Sequence, residues 1–336
     1  MVSRAGGVLL VGTIRKGGLD RVIPAASAPW RKARAVHDPG KVLLDVARAV
    51  ALGGDCLADV GMLRVEPPVL GPVASDPTVS RLIDTLASGG DRALTAIRTA
   101  RAEVREHVRT SAGQAAPDAD GQVTADLDGV LVIAHSEKQD AAATWKKTVG
   151  HHPLVGFVDH GQRGSGEPVA GLLRPGNAGS NTAADHIEAP GLALRQLPKK
   201  YRRGRRTLIR TDSVRGTHEF VNWLSAHGRW LSCSVGMTIT DAIHQTVSKA
   251  PAPAWAMAVE PGGRIRDGAR EAELDGDRLK GRPEGMRLIA RRERPHPGAQ
   301  LRFTDATAGP SRCPPSPQHA ETARQLHRRA VMKCRG

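Results

Sequence analysis

Two carboxylates stand two residues apart, Asp126 and Asp128, in the stretch "VTADLDGVLVIAHSEK" at residues 123–138. They precede a run, Val130 to Ala134, that reads as a buried strand. Side chains two apart on a strand share a face, so both acids project together. Clustered carboxylates repel unless a proton or a cation lies between them. The pair therefore reads either as punctuation, Asp and Gly129 turning into a strand, or as half of a metal site. Asp212, ending the apolar strand "TLIRTD", offers the other half. Where a mixed sheet brings such strand ends together, the oxygen donors suit Mg²⁺ or Mn²⁺. Just upstream, "KKYRRGRR" places Lys199, Lys200, Arg202, Arg203, Arg205 and Arg206 in eight residues. Such a run is either a solvated loop or, beside a metal site, a set of phosphate contacts.

The whole chain leans the same way. Its 336 residues carry 49 Lys and Arg against 34 Asp and Glu, a formal charge of +15. That surplus favours a polyanionic partner, nucleic acid first, although solubility alone can also account for it. Aromatic residues make up only 3% of the chain, which gives little support to single-strand binding by base stacking. Cys56, Cys233, Cys313 and Cys334 are far apart and form no C-x-x-C, so neither a zinc site nor a disulfide framework is indicated and reduced thiols are expected. No stretch reaches transmembrane length and no signal segment opens the chain, which predicts a cytoplasmic protein without membrane association.

The elements that must position these residues divide into four regions. Residues 1–111 read as helical. Asp38 caps a helix with Pro39 in its first turn, Gly53 and Gly54 break it, Asp55 restarts it, and another helix begins near Pro77. This spacing fits a helix-turn-helix-like DNA-binding module or an ordinary helical bundle. A polar loop, "SAGQAAPDADGQ", opens a second region over 112–250. There three strands are succeeded by helix, strand, helix, strand and helix, the order of an RNase H-like α/β core with a mixed sheet. Residues 251–306 read as a small inserted β region with strands at "GMRLIARRE" and "AQLRFTD", and 307–336 as a disordered tail.

Longer strings sharpen this reading. With "HDPGKVLLDVA", "LGGDCLADV", "ASDPTVSRLID", "DLDGVLVIAHSEK", "GEPVAGLLRPGNAGSNTAADHIE", "RTDSVRGTHEF" and "RRERPHPGAQLRFTDA", the chain resembles the insertion-sequence transposases with a DDE-type, RNase H-like catalytic domain, in particular the IS-thirteen-eighty group. The resemblance runs from about Ala5 to Ala306. It implies metal-dependent cleavage and transfer of DNA strands at terminal inverted repeats, with double-stranded DNA, both ends and target, as partner. It also implies two Mg²⁺ or Mn²⁺ ions held by three carboxylates, and a homo-oligomer. It places the first acid on Asp128, with Asp126 as its neighbour on the same face, and the second on Asp212. Val130 stands where the family often has Thr.

The third acid departs from the family. A Glu on a basic helix should come after the inserted strands, but the chain after Ala306 matches nothing in the family, and the surroundings of Glu321 do not fit the role. A one-base shift of frame at Ala306 can restore a β-hairpin pattern, so the tail is expected to be frameshifted or truncated and the enzyme inactive. Two other readings stand beside this one. "DLDGVL" also resembles the first motif of haloacid-dehalogenase-like phosphatases, with Asp126 as nucleophile. The chain could also serve as a DNA-binding remnant without catalysis. Bland readings suit the remainder: His151, His152 and the Asp159–His160 pair lie by turns, and Trp223 and Trp230 pack the core.

Overall fold

The computed structural model describes residues 5–134, 137–161, 166–179, 182–211, 217–226, 230–237, 239–260, 263–274, 282–293 and 327–334. The chain forms two compact units, one of Met1–Ala119 with Leu194–Pro198, the other of Asp120–Ala193 with Lys199–Gly336.

The first unit is helical: α1 (Ala5–Gly17), α2 (Leu19–Ser27), α3 (Pro39–Ala51), the single turn α4 (Pro67–Leu70), α5 (Asp76–Ser88) and α6 (Gly90–Ala112). The start of α3 obeys its sequence signals. Asp38 accepts hydrogen bonds from the Gly40 and Lys41 amides at 2.9 and 3.0 Å, and Pro39 fills a position that needs no donor. Gly40 is required by packing, because a Cβ there would lie 2.4 Å from the Pro24 backbone of α2. Val42, Ala49, Val60, Leu63 and Val79 form one buried cluster, and Ile23, Leu44 and Ala100 another. Asp45, buried among them, is paired with Lys41 and Arg48. The element expected to restart at Asp55 is a 3₁₀ helix, Leu57–Val65, whose first turn Asp59 closes by accepting from the Asp55 and Cys56 amides. After the Gly53–Gly54 turn the chain thus enters a 3₁₀ rather than an α-helical element.

The second unit is built on a nine-stranded sheet. Its elements in chain order are β1 (Val123–Gly129), β2 (Val132–Ile133), β3 (Ala142–Ala143), β4 (Val149–His151), β5 (Leu154–Val158), β6 (Glu167–Leu172), α7 (Ala183–Arg195), β7 (Thr207–Thr211), α8 (His218–Ser225), β8 (Ser232–Met237), α9 (Asp241–Lys249), β9 (Ala256–Val259), β10 (Ile265–Leu274), β11 (Met286–Glu293) and β12 (His327–Cys334). The large sheet runs β6-β5-β1-β7-β8-β12-β11-β10-β9, and β2, β4 and β3 form a separate small one. β1 lies antiparallel to β5 and parallel to β7, and β7 parallel to β8. With β1 central, an antiparallel hairpin pair on one side and two parallel strands on the other, this half has the RNase H-like order that the sequence predicts.

Several expectations are corrected here. Asp126 and Asp128 do not precede a strand but lie inside one. Val123, Ala125 and Leu127 of β1 are buried, and Thr124, Asp126 and Asp128 alternate on the other face. The apolar run after Gly129 is not core: Val130, Val132 and Ile133 are exposed, the last two in the small sheet. Nor is the tail wholly disordered, since His327–Cys334 form β12, antiparallel to both β8 and β11. Paired on both edges, that backbone joins the inserted strands to the core sheet as one continuous surface. β11 matches the expected "GMRLIARRE" strand; "AQLRFTD" and Glu321 lie outside the described residues. Cys233, buried in β8, is disulfide-bonded, contrary to the expectation of reduced thiols, and β12, which carries Cys334, runs beside it. Among the described residues no helix is long and apolar enough to cross a membrane.

Candidate active site and nucleic-acid contacts

The acids of β1 are presented on the sheet face opposite the buried Val123, Ala125 and Leu127. Asp126 is neutralised from the neighbouring strand. The register of β1 and β7 makes Arg210 its Cα partner, and the guanidinium reaches both carboxylate oxygens, Nε to Oδ1 at 2.5 Å and Nη2 to Oδ2 at 2.7 Å. The same Nη2 donates to Asp159 Oδ2 at 2.8 Å. Asp159 is held at the end of β5, its amide donating to the Thr124 carbonyl at 3.0 Å. These contacts raise the Arg210 pKa above its ordinary value, the Asp126 hydrogen bond chief among the causes and partial burial opposing it. Arg210 is the residue that sequence reasoning misses. Its partnership with Asp126 spans 84 positions, and only the strand register discloses it.

Asp128 is exposed one step further along β1, opposite Val155 of β5. Leu127, between the two acids, has Thr211 as its partner on β7. Asp212, next in sequence, lies outside the described residues. Among the described residues no three His, Cys, Asp or Glu side chains are grouped to hold a metal ion. The chemistry of Asp128 itself fits one: an exposed carboxylate supplies the oxygen donors that Mg²⁺ and Mn²⁺ take. Asp126 fits less well, because both its oxygens already accept from Arg210.

The basic run does not adjoin these acids. Lys199 and Lys200 lie in a 3₁₀ turn ending at the buried Tyr201, and the arginines come next, in the loop that enters β7. The Arg206 carbonyl accepts from the Val123 amide at 2.8 Å, at the start of β1. Asp128 is five residues further along that strand, roughly 17 Å at about 3.3 Å per residue. Lys199, Arg203, Arg205 and Arg206 are exposed without acidic partners among the described residues, and Arg202 is half-buried.

Other sequence readings fare unevenly. Trp223 stacks beside the buried Phe220, their ring centroids 6.3 Å apart, as a core residue should. Trp230 is instead 57% exposed at a φ of 46°. With Gly204, Arg205 and Glu284 it lines a cavity of about 510 Å³. Two of the histidines by these turns have protein partners. His151 is buried with Nε2 3.1 Å from the Gln139 carbonyl, and His160 faces Glu167 at 3.5 Å. A buried cation, Arg174, gives no signal in "GLLRPGNAGSN". It donates to the His152 carbonyl, to the Gly179 carbonyl and to Asp185 of α7 at 3.0, 3.2 and 3.0 Å.

Comparison with known proteins bears on these residues. The family model described as "Transposase DDE domain group 1" matches residues 1–329. No curated protein matches the chain. Among solved structures, a piggyBac transposase synaptic complex with hairpin DNA is similar at a TM-score of 0.42 and 9% identity. The match covers 99% of this chain and 61% of that one, so the chain spans about three-fifths of its length.

Proposed function

Because the chain belongs to the transposase DDE domain group 1 family, we propose that it binds double-stranded DNA at the ends of a bacterial insertion sequence and that Asp128 and Asp212 are its metal-binding acids. The observation that carries this reading is the β1–β7 register. Leu127 and Thr211, the residues preceding the two acids in sequence, are partners on adjacent parallel strands. A divalent ion, Mg²⁺ or Mn²⁺, supplies a Lewis acid for a phosphoryl oxygen and an activated water when bound at such a site. Asp128 provides oxygen ligands on the exposed face. Arg210 fixes Asp126 and Asp159 beside it, keeping two further negative charges from repelling the phosphate backbone. Lys199, Lys200, Arg202, Arg203, Arg205 and Arg206 contact phosphates further along the duplex, a use their separation from Asp128 allows because DNA carries charge along its whole length.

Family membership removes the phosphatase reading, and the engagement of both Asp126 oxygens by Arg210 agrees with that. Strand cleavage and transfer is the family's reaction, and here we propose it is defective: the family match runs on to residue 329, yet the Pro-rich sequence around Glu321 does not read as the basic helix that should carry the third acid. Losing one of three ligands weakens a two-metal site and costs orders of magnitude in rate. The test separates binding from cleavage. Duplex DNA bearing the element's ends is titrated with the chain, and Mn²⁺ binding is tracked by electron paramagnetic resonance in the native chain and in Asp128→Asn. DNA binding, Mn²⁺ binding weakened by Asp128→Asn, and no Mg²⁺-dependent cleavage are expected. Robust cleavage would overturn the claim of inactivity; Mn²⁺ binding indifferent to Asp128→Asn would overturn the site.

A further inference from the structure

The small sheet departs from the large one at the end of β1 that holds Asp128: Val130 donates to the Pro153 carbonyl at 3.0 Å, and β2 begins two residues later. Its strands β3 and β4 are joined by Thr144, Trp145, Lys146, Lys147 and Thr148. The Thr144 amide donates to the Thr148 carbonyl at 2.7 Å, the Lys147 amide donates to the Thr144 carbonyl at 3.0 Å, and the two threonine hydroxyls lie 2.7 Å apart. This turn is therefore well fixed. Its foot is clamped as well, because a Cβ on Gly176 would meet the Ala142 and Gly150 carbonyl oxygens at 2.2 and 2.5 Å.

The side chains at the tip of this turn are unusual. Trp145 is 72% exposed, in a chain with five tryptophans. Its ring contact is the Lys146 ammonium, 5.0 Å from the centroid. Lys147 sits at a φ of 60°, where glycine or asparagine would be unstrained. Neither lysine has an acidic partner among the described residues. An indole held into solvent at the tip of a fixed hairpin, with a cation on each of the next two positions, matches an unpaired nucleotide: the base offers a flat face and its flanking phosphates the charge.

We propose that the Trp145 hairpin is a DNA contact that stacks on an unpaired base at a frayed or single-stranded end, with Lys146 and Lys147 on the adjoining phosphates. This rests on the reading of the chain as a DNA-binding protein. It adds a contact specific to unpaired DNA, on the small sheet that departs from the end of β1 where the candidate metal-binding acid lies. A paired, internally stacked base exposes no such face, so the basic run 199–206 and the hairpin recognise different features of the same ligand. The charges decide between partners: a protein surface that covered Val132, Ile133 and Val149, which are also exposed, would have to bury or pair both lysines.

The test compares two DNAs with the full chain: a duplex with a single-stranded overhang carrying 2-aminopurine, and a closed duplex, a relaxed double-stranded minicircle with no ends and no unpaired bases. Trp145→Ala should lower affinity for the overhang DNA by about five- to a hundred-fold, the range typical of removing one aromatic–base stack. It should leave affinity for the closed duplex unchanged. Trp145→Phe should restore most of the loss, and 2-aminopurine fluorescence should be quenched by the native chain and not by Trp145→Ala. Because the side chain is mostly exposed, the alanine variant should fold, which its circular dichroism spectrum checks. Equal affinity of native chain and Trp145→Ala for the overhang DNA, with closed-duplex binding intact, overturns the hairpin contact alone. Binding of neither DNA overturns the DNA reading and the contact with it. A change of sedimentation coefficient in Trp145→Ala, with DNA binding unaltered, would overturn the DNA contact and assign the hairpin to contact between copies of this chain instead.

Discussion

At the scale of single residues, the cluster of Arg210 with Asp126 and Asp159 decides what the acidic face can do. Arg210→Ala leaves two neighbouring carboxylates without their cation, and since all three side chains are substantially exposed the expected loss of stability is small, about 1 kcal/mol. Its pH dependence has a definite sign. The Arg210 pKa is raised, so the stabilisation is fully present below the unfolded-state value and is lost only as pH rises through the folded-state one. Both lie far above neutrality, and the difference in urea midpoint between native chain and variant should stay flat from about pH 6 to 9. A difference that changed steadily over that span would mean another group controls the cluster. The alternation of Asp126 and Asp128 on one face is legible in the sequence because a two-residue period is local. Arg210 is not, because a cross-strand partner depends on register. Trp230 misleads for a related reason: hydrophobicity says what a side chain prefers, and its backbone, in the left-handed region at 46°, directs this one into a cavity rim.

Among the elements, "GEPVAGLLRPGNAGSN" shows how a string that looks like turn and filler can hold a structure together. Arg174, 4% exposed, donates to two carbonyls and to Asp185, and so ties the end of β4 to α7. Arg174→Ala should cost about 3 kcal/mol, the usual penalty for removing one partner of a buried ion pair. Arg174→Lys should recover only part of it, since an ammonium cannot span three acceptors fixed for a planar fork. Thermal unfolding of the three proteins checks this; an alanine variant as stable as the native chain would remove Arg174 from that role. The order of the first five large strands is readable from alternation and helix caps, and so is the helical character of the amino-terminal region. The start of β1 is not. Small and polar residues in "VTADLDG" weaken the apolar signal, whereas the stronger run after Gly129 belongs to a sheet too small to bury it. β9 and β10 escape the sequence for the same reason: with Gly268 and five charged residues over Ile265–Leu274, β10 alternates only towards its end.

For the whole molecule, the +15 charge sets the strength and salt dependence of any contact with DNA. Each phosphate contact contributes about 0.9 to the slope of log affinity against log salt. Neutralising Arg202, Arg203, Arg205 and Arg206 together should therefore reduce that slope by up to about four, and a slope left unchanged would remove the loop from the DNA interface. The least legible global feature is β12. A Pro-rich and basic tail looks unstructured, yet "HRRAVMKC" supplies backbone donors and acceptors on both sides, and the pairing of Met286–Glu293 with Cys334–His327 uses its full length. That position has a consequence for how the protein is made. β8 and β11 share no edge except through β12, so on the ribosome each waits with an open side until β12 has emerged. The amino-terminal helices can pack while translation continues, but the sheet closes later and through long-range contacts, the slow and aggregation-exposed kind. Holdase chaperones acting on the nascent chain would find their substrate in those two waiting strands.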